Sequence, residues 1–150
     1  MNLLFKKVKT KTEQQEFLRM EYECSIQFRD FASAIGITDS DLEHYTLDNS
    51  RKYLLDPTYK KYIVYCDEFV VGMLEYRHTV SEFDGRKVLQ LVVLFVDKQF
   101  RGHGIGTMML DFVKKQARGK RVELTCYYDA PAMQFYDKLG LHKASVTYTF

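Results

Sequence analysis

Apolar residues recur first at helical and then at strand spacing along the chain. Thr12-x-x-Gln15 has the form of a capping box. Phe17, Met20, Cys24, Phe28, Phe31 and Ile35 follow three or four residues apart, which predicts an amphipathic helix ending near Gly36. A second, less regular helix is expected from Thr38 or Asp39 through Leu42 and Tyr45 toward Leu55, where Asp56-Pro57 stops it. Two helices therefore stand before the main run of strands.

Tyr62 to Cys66 and Phe69 to Arg77 are rich in β-branched and aromatic residues, and Asp67-Glu68 between them predicts a hairpin. Asp84-Gly85 marks another tight turn, and Val88 to Val96 is almost continuously apolar, as a central strand covered on both faces would be. Past a glycine-rich turn, Met108, Met109, Phe112 and Val113 keep helical spacing up to about Gly119. Val122 to Tyr128 reads as a strand, Ala130 to Leu139 as a short helix closed by Gly140, and Ser145 to Phe150 as a last strand. The order βααββ(β)αβαβ describes an α/β or α+β sheet without an internal repeat.

With 150 residues, one domain spanning 1–150 is expected. Eight glycines and two prolines are too few for a linker-rich chain, and a formal charge of +2 speaks against a dedicated polyanion binder. Cys24, Cys66 and Cys126 are odd in number and form no C-x-x-C pair, so neither a disulfide framework nor a structural zinc is expected, and a reducing cytoplasm is the natural home. Leu3 to Phe5, ahead of Lys6, Lys7 and Lys9, is too short for a leader core, and Leu91 to Val96 is too short for a membrane span.

The segment from Val96 to Thr107 joins the apolar strand to a helix and holds glycines at 102, 104 and 106. Glycine lets a backbone approach a ligand closely, and the first N–H groups of a helix lack internal partners, so a phosphate fits there. No Gly-Lys-Ser/Thr follows, and the glycine spacing is not G-x-G-x-x-G, so neither nucleotide-binding fingerprint applies.

Arg101-Gly102-His103-Gly104-Ile105-Gly106 resembles the R/Q-x-x-G-x-G/A signature of the GNAT superfamily of N-acetyltransferases. The preceding Leu91 to Val96 and the following Thr107-Met108-Met109-Leu110 are similar to that family's flanks. Asp129-Ala130-Pro131-Ala132, then Tyr136 and Gly140-Leu141, resembles its second motif, with Asp129 where Asn is common and Leu141 where Phe is common. The resemblance covers Tyr62 to Phe150. It implies a mixed, mostly antiparallel sheet flanked by helices and splayed between its two central strands, with acetyl-CoA as cosubstrate and no metal. The two N-terminal helices match only as the variable part that shapes the acceptor pocket.

By that resemblance, the pyrophosphate of acetyl-CoA takes the amides of Gly102, His103, Gly104, Ile105 and Gly106 at the helix opening by Thr107, with Arg101 adding a charge-assisted bond. The pantetheine arm pairs with the strand end at Leu94, Phe95 and Val96, where a main-chain N–H also faces the thioester oxygen. Tyr136 occupies the position of the general acid that protonates the leaving thiolate; otherwise it packs with Phe135 and Leu139. Asp129 is either a ligand contact or a cap for the helix containing Pro131.

An acceptor amine is mostly protonated at neutral pH, so a base must take its proton. Glu75 is the first candidate, ahead of Glu82, Asp84 and His78. Lys114, Lys115, Arg118, Lys120 and Arg121 read as a solvated helix end, which speaks against a nucleic-acid partner, and Cys126 reads as a buried strand residue. His44 and His142 show no metal spacing. Three functions stay open: acetyl transfer to a small-molecule amine, transfer to a protein N-terminus or lysine, and a non-catalytic acyl-CoA-binding module. A homodimer is also left open, and no membrane partner is expected.

Overall fold

The computed structural model describes residues 1–44 and 56–150. Strands β1 (Leu3–Lys7), β2 (Tyr59–Cys66), β3 (Phe69–Val80), β4 (Lys87–Val96) and β5 (Val122–Leu124) form one sheet in the order β1-β2-β3-β4-β5. The first four are antiparallel neighbours, and β5 runs parallel to β4. Helices α1 (Lys11–Gln27) and α2 (Arg29–Ser33) follow β1, α3 (Ile105–Ala117) carries the chain from β4 to β5, and α4 (Pro131–Lys138) follows β5. This is the mixed, mostly antiparallel sheet flanked by helices that the motifs imply.

Strand alternation sends neighbouring residues to opposite faces, and each face receives a helix. Val64, Leu74, Tyr76, Leu89 and Leu91 pack with Ile105, Met109, Leu110, Val113 and Ala117 of α3. Ile63, Met73 and Phe95 pack on the other face with Phe17 and Met20 of α1. The β2–β3 hairpin turns at Asp67 (φ 53°) and Glu68, as expected, and the β3–β4 connection turns at Gly85 (φ 69°).

Leu3 to Phe5 belong to β1, the strand that opens the expected order, and it pairs with β2. Three expectations need correcting. The capping box starts at Thr10, not Thr12: Thr10 Oγ1 accepts from the Glu13 N–H at 3.2 Å, and Glu13 Oε2 accepts from the Thr10 N–H at 3.3 Å. Glu13 outcompetes Gln15 because its carboxylate also takes the Lys9 N–H at 2.8 Å and Lys6 Nζ at 3.1 Å. The helix does not run unbroken to Gly36: Phe28 (φ −100°, ψ 3°) interrupts it, and Ile35 is exposed.

The third concerns the C-terminal side. β5 ends at Leu124, and Ser145 to Phe150 form no strand; Tyr148 is 91% exposed. Alternation of apolar and polar residues meets only half of a strand's needs, since its backbone groups must also find a neighbour, and among the described residues this segment has none. Residues 39–44 are helical as predicted, with Thr38 and Asp41 capping each other. The rest of that predicted helix, Tyr45 to Leu55, lies outside the described residues. No helix among the described residues is long and apolar enough to cross a membrane.

Gly72 opposes Val96, and a Cβ on it would drive into the Phe95 carbonyl oxygen of β4. Gly72→Ala is therefore expected to destabilise the fold by about 2 kcal/mol or more, because two paired backbones rather than a flexible side chain would have to move. Urea unfolding monitored by circular dichroism measures it, and an unchanged midpoint would refute the close approach.

Candidate functional site

The site begins where β4 loses its parallel neighbour. Leu89, Gln90 and Leu91 pair with Val122, Glu123 and Leu124, and then β5 stops while β4 continues from Val92 to Val96. On the opposite edge, Glu75 faces Val93 and Tyr76 faces Leu91, which leaves Val92 as an extra residue. Such a bulge bends its strand and sharpens the local twist. From Val92 to Val96, β4 thus lacks a partner on its β5 side, and the sheet parts between β4 and β5. Phe95 is buried against the α1 face, and Leu94 and Val96 pack toward α3, so what β4 offers along the gap is main chain.

Directly after β4, Asp97 accepts from the Gln99 N–H at 3.0 Å and caps the 3₁₀ turn Lys98–Phe100. Gly102 and Gly104 then adopt φ of 81° and 82°, a region that side-chain-bearing residues rarely enter, and a Cβ on either would meet nothing within 4 Å. Gly104 is the N-cap of α3, with no side-chain cap among the described residues. The amides of Ile105, Gly106 and Thr107 open the helix without a carbonyl behind them. Gly106 serves another end, because a Cβ there would lie 3.2 Å from the Phe135 ring. An anionic diphosphate fits this turn on three counts: open space, donor amides and the positive helix end.

The side chains around the turn face differently from its backbone. His103 is exposed, with Nδ1 3.2 Å from the Phe100 carbonyl oxygen. Arg101 turns toward β4 and α1: Nε donates to the Val96 carbonyl at 2.8 Å, one terminal nitrogen donates to Gln27 Oε1 at 2.6 Å, and the guanidinium lies 5.8 Å from the Phe95 ring centre. It laces the end of β4 to the end of α1. Asp129 has φ 61°, a conformation Asp and Asn tolerate better than most residues, and its N–H donates to Met133 Sδ at 3.1 Å. Ala130, not Asp129, is the N-cap of α4, so the capping expectation is corrected.

Glu75, midway along β3, is 3% exposed and points to the α1 face with Met73. It stands opposite Lys61 on β2, whose Nζ is 3.7 Å from Oε1. Sequence reading missed Glu21 of α1, a half-buried carboxyl that is an electrostatic neighbour of Glu75. The signal was present: Glu21 sits one turn after Phe17 and one before Cys24, a carboxylate inside the apolar stripe. Burial pushes both carboxyls above the ordinary range, and Glu75 adds to the shift at Glu21, which reaches about 8. Burial pulls the Lys61 ammonium down, against the opposing pull of Glu75 and Glu21.

Cys24 continues the series. Burial and then Glu21 push its thiol up to about 12, while Arg101 acts in the opposite direction. Burial, then Cys126 and Cys24, hold the Tyr136 phenol up at about 12, so it keeps its proton at neutral pH. Glu75, Glu21, Cys24 and Tyr136 are therefore electrostatic neighbours in turn, across β3, α1 and α4. Cys126 is corrected from a buried strand residue to a half-buried one beyond the end of β5. All three cysteines are free thiols.

The alternative bases stand elsewhere. Glu82 and His78 are exposed, and burial followed by Lys120 and Lys60 pulls His78 down. Asp84 is engaged by Arg121 through two bonds of 3.0 Å, which lowers its carboxyl. Lys114, Lys115 and Arg118 are exposed. Among the described residues, no group of His, Cys, Asp and Glu side chains is placed to hold a metal ion.

A sheet parted beside a strand-to-helix glycine turn is the architecture of the acyl-CoA-dependent acetyltransferases. The chain belongs to the acetyltransferase (GNAT) family, whose sequence model matches residues 18–141. It is 37% identical over 73 residues to the uncharacterized N-acetyltransferase MJ1207 of Methanocaldococcus jannaschii, a match covering 45% of this chain and 31% of that protein. A Pyrococcus furiosus protein provisionally named an acetyl transferase superposes with a TM-score of 0.79 at 19% identity, over 99% of both chains. An aminoglycoside acetyltransferase from an uncultured soil sample gives 0.61 at 22% identity, over 100% of this chain and 98% of that one. The ribosomal-protein-alanine N-acetyltransferase of Brucella melitensis gives 0.60 at 12% identity, over 99% and 98%. At these identities the structures share the fold.

The raised Glu21 carboxyl fixes a pH signature. The ordinary value is 4.5 and the folded one about 8, so between them the native state holds more protons than the unfolded chain, and stability falls as pH rises through that window. Glu21→Gln is expected to flatten this slope and to gain on the parent above pH 8. Melting temperatures from pH 4 to 9 measure it; parallel curves for the two proteins would refute the shift.

Proposed function

We propose that this protein is an acetyl-CoA-dependent N-acetyltransferase acting on a primary amine, with a small-molecule amine as the first acceptor class. The observation that carries the reading is the uncapped, glycine-opened N-terminus of α3, set at the end of β4 where that strand has left β5. When bound there, acetyl-CoA supplies a thioester open to attack by an amine. The amides of Gly102, His103, Gly104, Ile105, Gly106 and Thr107 hold the diphosphate. The main chain of Leu94, Phe95 and Val96 pairs with the amide-bearing arm, as a strand edge pairs with any extended amide chain.

Glu75 accepts the proton of the acceptor ammonium at a carboxylate oxygen, directly or through a water. Its burial raises its affinity for that proton toward the working pH, which suits a general base. Tyr136 donates its phenolic proton to the departing sulfur, and its raised value keeps the acid form populated. Arg101 holds the end of β4 in place. The enclosed position of Glu75 favours a slender, unhindered amine over a bulky one.

Acetyl-CoA consumption against panels of small amines and of peptides tests the acceptor, and thiol release accelerated only by peptides would move the assignment to a protein N-terminus or lysine. Tyr136→Phe is expected to lower kcat by about 10²-fold with CoA affinity unchanged. Turnover equal to the parent across the pH range would remove the acid role. Gly104→Val places a β-branched residue at φ 82° and crowds the turn, and weaker CoA binding by calorimetry is expected with the fold retained by circular dichroism. Equal affinities would count against the cradle, and absence of CoA binding by the parent would overturn the function.

A further inference from the structure

On the α1 face, β2, β3 and β4 set their residues in rows across the sheet: Ile63, Met73 and Phe95; then Lys61, Glu75 and Val93; then Tyr59, Arg77 and Gln90. Phe17 and Met20 close over the first row, and Glu75 in the second is buried. The last row is half-buried throughout, so this face opens at Arg77.

The Arg77 guanidinium is held in place without being neutralised. Nε donates to Gln90 Oε1 at 2.6 Å, one terminal nitrogen donates to the Tyr59 hydroxyl at 2.9 Å, and the group lies 5.3 Å from the Tyr59 ring centre. Both partners are uncharged, and the other terminal nitrogen has no partner among the described residues. Asp56 senses the charge from a distance, but its carboxylate is turned to Thr58, accepting from the N–H at 2.9 Å and from Oγ1 at 2.7 Å. Lys61, the other cation on these rows, is engaged: Nζ lies 3.7 Å from Glu75 Oε1 and donates to the Tyr59 carbonyl at 3.4 Å. A guanidinium partly withdrawn from water and fixed by neutral groups is set to receive a planar anion, and a carboxylate matches its fork.

We propose that Arg77 is a specificity-determining residue that takes the carboxylate of the acceptor, so that the acceptor is a short amino acid rather than a plain amine. This rests on the acetyltransferase reading above. Residues 75 and 77 share a face two positions apart, about 7 Å along the strand. An amine placed to give its proton to Glu75, directly or through a water, brings a carboxylate one or two carbons away within reach of Arg77. That spacing suits α- and β-amino acids. It does not suit a peptide N-terminus, whose neighbouring carbonyl is uncharged.

The test is a panel of the common α-amino acids and β-alanine, each set beside its carboxamide, which keeps the shape and removes the charge. For the best acid, the parent is expected to show a kcat/KM about thirtyfold above that of its amide, with the difference carried by KM. In Arg77→Gln that ratio is expected to fall to about one, and in Arg77→Lys to recover in part. Calorimetric binding of the same acid to protein saturated with CoA is expected to weaken by a similar factor in Arg77→Gln, with folding checked by circular dichroism. A parent that uses carboxamides as well as acids, or accepts only peptides, overturns the anchor and leaves the transferase reading in place, as does a folded Arg77→Gln that keeps the preference. Where Arg77→Gln does not fold, the parent's own choice between acid and amide decides. A parent that binds CoA yet releases no thiol with any amine overturns the transferase reading; amino acids that then bind parent and Arg77→Gln alike, or neither, overturn the anchor as well.

Discussion

Every feature of the site depends on β4 continuing after its parallel partner has ended. A strand freed on one edge exposes N–H and C=O groups that need partners, and such an edge persists only if its other side is held firmly. Here β3 does the holding. Gly72 permits an approach that no larger residue would, the Asp97 N–H donates to the Val71 carbonyl at 2.9 Å, and Arg101 takes the Val96 carbonyl. The single extra residue at Val92 turns the strand just where the partnership ends. The gap is a consequence of unequal strand lengths and one bulge, with no separate structural element needed to create it.

The two sheet faces then take different chemistry. The α3 face is an ordinary apolar core apart from the paired tyrosine rings of Tyr62 and Tyr76. The α1 face is apolar around Phe17 and Met20 and also buries Lys61 and Glu75, with the half-buried Glu21 as their electrostatic neighbour. Buried charges of this kind are weak contributors to stability, since desolvation offsets their attraction. Helix α1 thus acts twice, covering one face of the sheet and delivering a carboxylate to it.

Much of this could be read from the residues alone, for reasons that differ by element. The hairpin around Asp67, the apolar run of β4 and the helix after Gly104 follow from local patterns, and the structure keeps all three. The glycine turn was recognisable because positive φ admits few other residues. Glu21 escaped because a carboxylate within a helical stripe gains meaning only from a strand more than fifty residues away. The bonds by which Arg101 joins β4 to α1, and the left-handed turn at Asp129, likewise depend on residues distant from or shaped by the fold rather than on local pattern. Ser145 to Phe150 shows the limit of pattern: alternation announces a strand, but hydrogen bonding to a neighbour makes one.

The contact between Phe135 and Gly106 ties two parts of the chain that sequence keeps apart. The ring rests where a side chain on α3 would otherwise be, and Tyr136 is its immediate neighbour, 5.1 Å away between ring centres. A bulkier residue at 106 would therefore lever the phenol aside while leaving the open amides of the preceding turn intact. Side-chain size at position 106 and the placement of α4, which carries Tyr136, are mechanically coupled, so the two can change only in concert.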